Sequence, residues 1–138
     1  RDITKYEYDL LNRLTKYTDP EEKTTTFEYD KLGNLIQKTD STERTWKYEY
    51  DKLSNIKKST DPQNAVTSFE YAANNNLLKT INALGKEKTY EYDALNRITS
   101  IENENEAETQ IVYDALSQII SVQKPEGGII KKQYFHYY

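Results

Sequence analysis

The sequence predicts an all-β fold: tandem 21-residue β-hairpin units joined into a curved antiparallel sheet. Three observations carry this expectation. A Tyr recurs every 21 residues, at Tyr8, Tyr29, Tyr50, Tyr71, Tyr92 and Tyr113, without one insertion. Turn-forming residues punctuate the chain about every ten residues. The stretches between them are rich in Thr and Tyr, with 13 Tyr against 3 Phe and 1 Trp, and both residue types favour strands.

Other columns keep the same phase. Tyr-Glu-Tyr-Asp stands at 6–9, 48–51 and 90–93, Phe-Glu-Tyr-Asp at 27–30, and degenerate copies at 69–72 and 111–114. The Tyr is therefore followed by Asp9, Asp30, Asp51, Asp93 and Asp114, with Ala72 in the fourth unit. Three positions after the Tyr come Leu11, Leu32, Leu53, Asn74, Leu95 and Leu116; six after it come Leu14, Leu35, Ile56, Leu77, Ile98 and Ile119.

Each unit opens with a strand. In residues 24–29, Thr25, Phe27 and Tyr29 share one face, and Thr24, Thr26 and Glu28 the other, because strand side chains alternate. Trp46, Tyr48 and Tyr50 repeat the pattern. A tight turn follows, Lys31-Leu32-Gly33-Asn34 in the second unit. Its Gly33 column reads Asn12, Gly33, Ser54, Asn75, Asn96 and Ser117, a left-handed position for which Gly and Asn are suited and Ser less so. A second strand runs from Leu35 to Thr39. The unit closes on a longer turn opened by Asp19, Asp40, Asp61, Asn82, Asn103 or Lys124.

A single hairpin is marginal in water, so each unit must bury its aromatic face against others. A sheet of about a dozen such strands twists and curls, with the Tyr and Leu columns expected on the covered, concave face. The Asp column is expected to cap its turns by accepting backbone N–H bonds rather than to form a carboxylate ladder. Arg13 and Arg97, four residues after Asp9 and Asp93, suit ion pairs across the turn. Tyr17 falls outside the columns and is expected to be exposed.

Composition excludes much chemistry. With 138 residues the chain is one array, 1–138, of about six units. Its start at Arg1 without Met suggests a fragment of a larger protein. The charge of −4, from 19 Lys+Arg and 23 Asp+Glu, argues against a nucleic-acid partner. No apolar run approaches the ~20 residues of a membrane span. There is no Cys, and the single His136 lies near the end of the sequence among aromatic residues. No phosphate loop, nucleophile elbow or metal signature is present, so neither enzymatic activity nor a cofactor is expected. The acidic stretch 102–108 lacks EF-hand spacing and reads as a solvated turn. Exposed Tyr rings could alternatively form a platform for glycans or a surface partner. An array of this kind also leaves strand edges through which other copies can pair.

The string Tyr6-Glu7-Tyr8-Asp9-Leu10-Leu11-Asn12-Arg13-Leu14, its counterpart at 90–98, and the Thr-Asp-Pro elements at 18–20 and 60–62 resemble the YD repeat of the Rhs family. The resemblance spans essentially the whole chain. It implies hairpin units that spiral into large hollow shells, found in bacterial polymorphic toxins, insecticidal toxin complexes, wall-associated proteins and teneurins. The implied role is a structural wall of a secreted or cell-surface protein that encapsulates a toxin domain or displays an adhesion domain. Where the family commonly has Gly near the end of the second turn, this chain reads Glu22, Glu43, Asn64, Gly85, Glu106 and Gly127.

Overall fold

The structure, a computed structural model, describes residues 3–125 and 127–131. His136 and the aromatic end of the sequence lie outside the described residues. Thirteen antiparallel strands are hydrogen-bonded in chain order, and no helix occurs among the described residues. The chain forms two compact units, Arg1–Ser68 and Phe69–Tyr138.

The first unit holds β1 (Lys5–Tyr8), β2 (Leu14–Thr18), β3 (Thr24–Tyr29), β4 (Leu35–Thr39), β5 (Thr45–Tyr50) and β6 (Ile56–Thr60). β7 (Val66–Tyr71) begins in this unit and pairs with β6, with Thr60 opposite Val66. Cross-strand partners share a face of the sheet. One face carries the rows Tyr6–Tyr17–Thr25, Phe27–Lys38–Trp46 and Tyr48–Ser59–Thr67. The other carries Glu7–Lys16–Thr26–Thr39–Thr45 and Glu28–Gln37–Lys47–Thr60. That second face is laced by Lys16–Glu7 (3.0 Å), Lys58–Glu49 (3.1 Å) and a 2.8 Å bond from the Gln37 amide to Glu28. Water therefore suits it, and the aromatic rows take the opposite side.

The second unit holds β8 (Leu77–Ile81), β9 (Glu87–Tyr92), β10 (Ile98–Glu102), β11 (Glu108–Tyr113), β12 (Ile119–Gln123) and β13 (Ile129–Lys131). It repeats the scheme, with the row Tyr90–Ile101–Thr109 on one face and Glu91–Ser100–Gln110–Gln123 on the other.

Five of the first turns are followed by a bulge. Tyr8 pairs with Leu14 and Glu7 with Lys16, so Thr15 is an extra residue. Ile36, Lys57, Thr99 and Ile120 are the extra residues of β4, β6, β10 and β12.

Burial departs from expectation. Among the described residues no hydrophobic side chain is buried, and Ser100 alone is, at 8% exposure. Each sheet is a single layer, so a ring is covered only by neighbours on its own face. Tyr29, Tyr50, Tyr71, Tyr92 and Tyr113 are half-buried, and Tyr8 is exposed. Tyr17, expected in solvent, is half-buried against Tyr6, with ring centroids 5.5 Å apart and planes at 54°.

Candidate functional site

The sequence-singled residues converge on two devices, a capped turn and an aromatic clasp. In the first turn, the Asn12 N–H donates to the Asp9 carbonyl at 3.0 Å, and the Asp9 N–H to the Arg13 carbonyl at 3.0 Å. Asn12 between them has φ 62°. This is a four-residue turn closed by one left-handed residue, which lets the two strands twist together. The Asp9 Oδ1 accepts the N–H groups of Leu11 (2.9 Å) and Arg13 (3.0 Å). Asp30, Asp51, Asp93 and Asp114 do the same for Leu32 and Asn34, Leu53 and Asn55, Leu95 and Arg97, and Leu116 and Gln118.

The second carboxylate oxygen takes a side-chain donor where one is at hand. Arg13 and Arg97 reach Asp9 and Asp93 through Nη2 at 2.7 and 2.6 Å. Asn34 and Asn55 reach Asp30 and Asp51 through Nδ2 at 2.9 and 3.0 Å. These bonds favour the ionised acid. The Arg13 backbone N–H first, then its guanidinium, holds the Asp9 carboxyl below its ordinary range. The Asn34, Asn55 and Arg97 side chains lead the same lowering at Asp30, Asp51 and Asp93. In the fourth unit, where Ala72 replaces the Asp, Asn74 and Asn76 instead donate to Asn96 Oδ1 at 2.7 and 3.0 Å.

The second turn uses the same geometry, a likeness the sequence reading missed. Asp19 Oδ1 accepts from Glu21 and Lys23, Asp40 from Thr42 and Arg44, and Asp61 from Gln63 and Ala65. Glu22, Glu43, Asn64, Glu106 and the Gly residues 85 and 127 all have positive φ. An Asx residue three positions before each, save Gly127 with Lys124, was the legible signal. Ser54 and Ser117 also adopt the left-handed conformation, at φ 64° and 63°.

The clasp joins one repeat to the next. The Tyr29, Tyr50, Tyr92 and Tyr113 hydroxyls donate to the carbonyls of Leu14, Leu35, Leu77 and Ile98 at 2.8–2.9 Å. These carbonyls lie where β2, β4, β8 and β10 begin. In the first unit, β3 pairs with β2 only through residues 24–26, which leaves Leu14 beyond the ladder. Arg13 adds to the clasp: its Nη1 donates to the Asp30 carbonyl at 3.0 Å and its guanidinium lies 4.8 Å over the Tyr29 ring. Arg97 does likewise with the Asp114 carbonyl (3.3 Å) and the Tyr113 ring (4.5 Å).

Chemically, this arrangement braces a sheet. Successive Asp residues stand two strands apart, about 9.5 Å, too far to share a proton or an ion. Among the described residues no group of three or more His, Cys, Asp or Glu could hold a metal ion. In the acidic stretch, Asn103 caps its turn and Glu108 accepts from the Ser100 hydroxyl at 2.7 Å. A glycan platform would need free, exposed rings, but Tyr50 and Tyr92 are half-buried with their hydroxyls already engaged.

The repeat and its fold find their counterparts among known proteins. The RHS Repeat family model matches residues 8–42, 29–66 and 71–108, more than half of the chain. This chain belongs to the RHS Repeat family. No curated protein sequence matches it. Among solved structures, the complex of TcdB2, TccC3 and Cdc42 superposes with a TM-score of 0.76 at 20% identity, covering 88% of this chain. The Photorhabdus luminescens Tc holotoxin pore gives 0.73 at 21% identity over 86% of the chain. TcdB2-TccC3 without its hypervariable C-terminal region gives 0.74 at 20% identity over 88%. At these identities the likeness is one of fold. The Rhs repeats described here span 7% of the length of each of those chains. The all-β hairpin array expected from the sequence is the architecture observed, and the chain is a structural repeat module of an Rhs-type protein.

Proposed function

We propose that this module is a stretch of wall in a larger secreted or cell-surface bacterial protein, and that the wall encloses or displays a toxin or adhesion domain. The observation that carries the reading is the clasp. Four Tyr hydroxyls, of Tyr29, Tyr50, Tyr92 and Tyr113, each satisfy a carbonyl of the preceding repeat, so these repeats are completed by their neighbours. A single-layer sheet braced in this way, with no catalytic constellation among the described residues, suits a scaffold rather than an enzyme. The neighbouring repeats of the parent chain are its first partners. Other copies pairing along open strand edges, such as the outer edge of β1, are a further set.

Protease protection in the complete gene product tests the reading. The non-repeat region should resist protease while the wall is intact. It should become sensitive when Tyr50→Ala and Tyr92→Ala break the clasps. Equal cleavage of that region in both proteins would defeat the proposal.

A further inference from the structure

In the first unit the strands alternate in direction, so the first turns gather along one rim of the sheet and the second turns along the other. The two rims differ in chemistry. On the first rim Leu11, Leu32 and Leu53 are 71%, 74% and 62% exposed, although Leu is ordinarily hidden. Lys31 and Lys52 stand beside them, exposed and without a hydrogen bond or ion pair from their side chains among the described residues. The acids of this rim, Asp9, Asp30 and Asp51, are already tied to Arg13, Asn34 and Asn55.

The opposite rim carries Glu22 and Glu43, exposed, whose carboxylates likewise have no partner among the described residues. Its cations are occupied: Lys23 is held by Glu21 and Arg44 by Asp40. Glu22 and Glu43 also sit at φ 64° and 62°, where Gly or Asn would be at ease and Glu is strained. Two strained positions, one repeat apart, thus place a free carboxylate where the turn itself asks for none.

We propose that these rims dock on each other between copies of this chain, the second-turn rim of one copy on the first-turn rim of the next. The free charges are opposite in sign. Their spacing is matched, because Glu22 to Glu43 and Lys31 to Lys52 each span one 21-residue repeat, two strands or about 9.5 Å. The exposed Leu32 then covers the ring of Pro20, and Leu32 and Leu53 cover the aliphatic stems of the Glu side chains. Because different rims meet, the contact is heterologous and adds copies into an open ribbon. This goes beyond the wall reading and does not depend on what the wall encloses.

Sedimentation velocity across a concentration series, at low and at high salt, tests it. The wild-type chain should self-associate at low salt and less so at high salt. Glu22→Lys with Glu43→Lys keeps the backbone strain and reverses the charge; it should weaken self-association about tenfold. Lys31→Glu with Lys52→Glu should do the same. Mixing the two variants should restore assembly, which also shows that both are folded. A wild type that stays monomeric at low salt, variants that associate as the wild type does, or a mixture without rescue would each overturn the proposal. Pairing through the edge of β1 would leave the charge reversals without effect, and so falls among the overturning results.

Discussion

The Tyr50 hydroxyl donates a 2.8 Å hydrogen bond to the Leu35 carbonyl, fifteen residues earlier and one repeat back. The ring lies along the aromatic face, and its tip closes a carbonyl that lies beyond the shortened ladder between β4 and β5. Tyr is required here rather than Phe for that polar tip.

Tyr50→Phe keeps the ring and removes the bond. The Leu35 carbonyl then loses its donor, which costs about 0.5–1.5 kcal/mol. Tyr48→Phe, two residues earlier and without such a bond, should change little. Urea denaturation of both variants measures the difference; equal losses would show that the ring and not the hydroxyl makes the clasp.

Glu43→Gly should stabilise the fold. Glu43 stands at φ 62°, a conformation that costs an L side chain ~1–2 kcal/mol. Gly regains that and gives back part through its freer unfolded chain, for a net gain of about 0.5–1 kcal/mol. Gly85→Ala, at φ 73°, should move stability the other way. Thermal melts decide the matter, and a lower midpoint for Glu43→Gly would refute it.

Acid should unfold the protein through its turn caps. Asp9, Asp30, Asp51 and Asp93 have carboxyls held below the ordinary carboxylate range by hydrogen bonds to the ionised form. The unfolded chain therefore takes up protons first as the pH falls below about 4. Their contribution is present above that pH and is lost as the pH falls through the folded values. Asp51→Asn should flatten the acid limb of a stability–pH curve, and an unchanged limb would contradict the capping role.

At the alkaline end the sign reverses. Burial first, then the neighbouring Tyr48 and Asp30, raises the Tyr50 phenol above its ordinary value, and burial and Tyr90 do so for Tyr92. Stability from these groups is full below about pH 10 and is lost as the pH rises through their folded values. A phenolate absorbance titration should show late-ionising Tyr residues, fewer in Tyr50→Phe. Titration of every Tyr together at the free value would count against it.

Calcium and EDTA should leave the melting temperature alike. The Asp Oδ1 atoms are occupied by two backbone N–H groups each, and successive carboxylates stand a repeat apart. A rise of several degrees with calcium would mean a site that binds only the folded state.

The strand and turn positions were legible because the Tyr, Leu and Asp columns share one phase. The span expected for the second strand, Leu35 to Thr39, is that of β4. The left-handed column was legible at Asn12 and Gly33, whose backbones accept it. It was obscured at Ser54, Glu22 and Glu43, where the Asx cap and the closing hydrogen bonds outweigh local preference. The clasp was not legible, since nothing local tells where a Tyr hydroxyl points. Burial misled because a periodic aromatic face implies something to cover it, and a single-layer sheet provides only its own neighbours.

The bulged residue reconciles an odd repeat with a two-sided sheet. Alternation alone would send residues 21 positions apart to opposite faces, so Tyr8, Tyr29 and Tyr50 could not line up. Tyr8 and Leu14, or Tyr17 and Thr25, are an even count apart across each turn, and both pairs face the same way. Only Thr15 and its counterparts Ile36 and Lys57 interrupt the alternation. Each repeat is thus twenty alternating positions plus one spare. A single-codon deletion within β4 can be absorbed by smoothing the bulge at Ile36, with the downstream faces kept. A single-codon insertion finds no such slack and demands a second bulge. Length changes in an array of this kind should therefore run toward loss before gain.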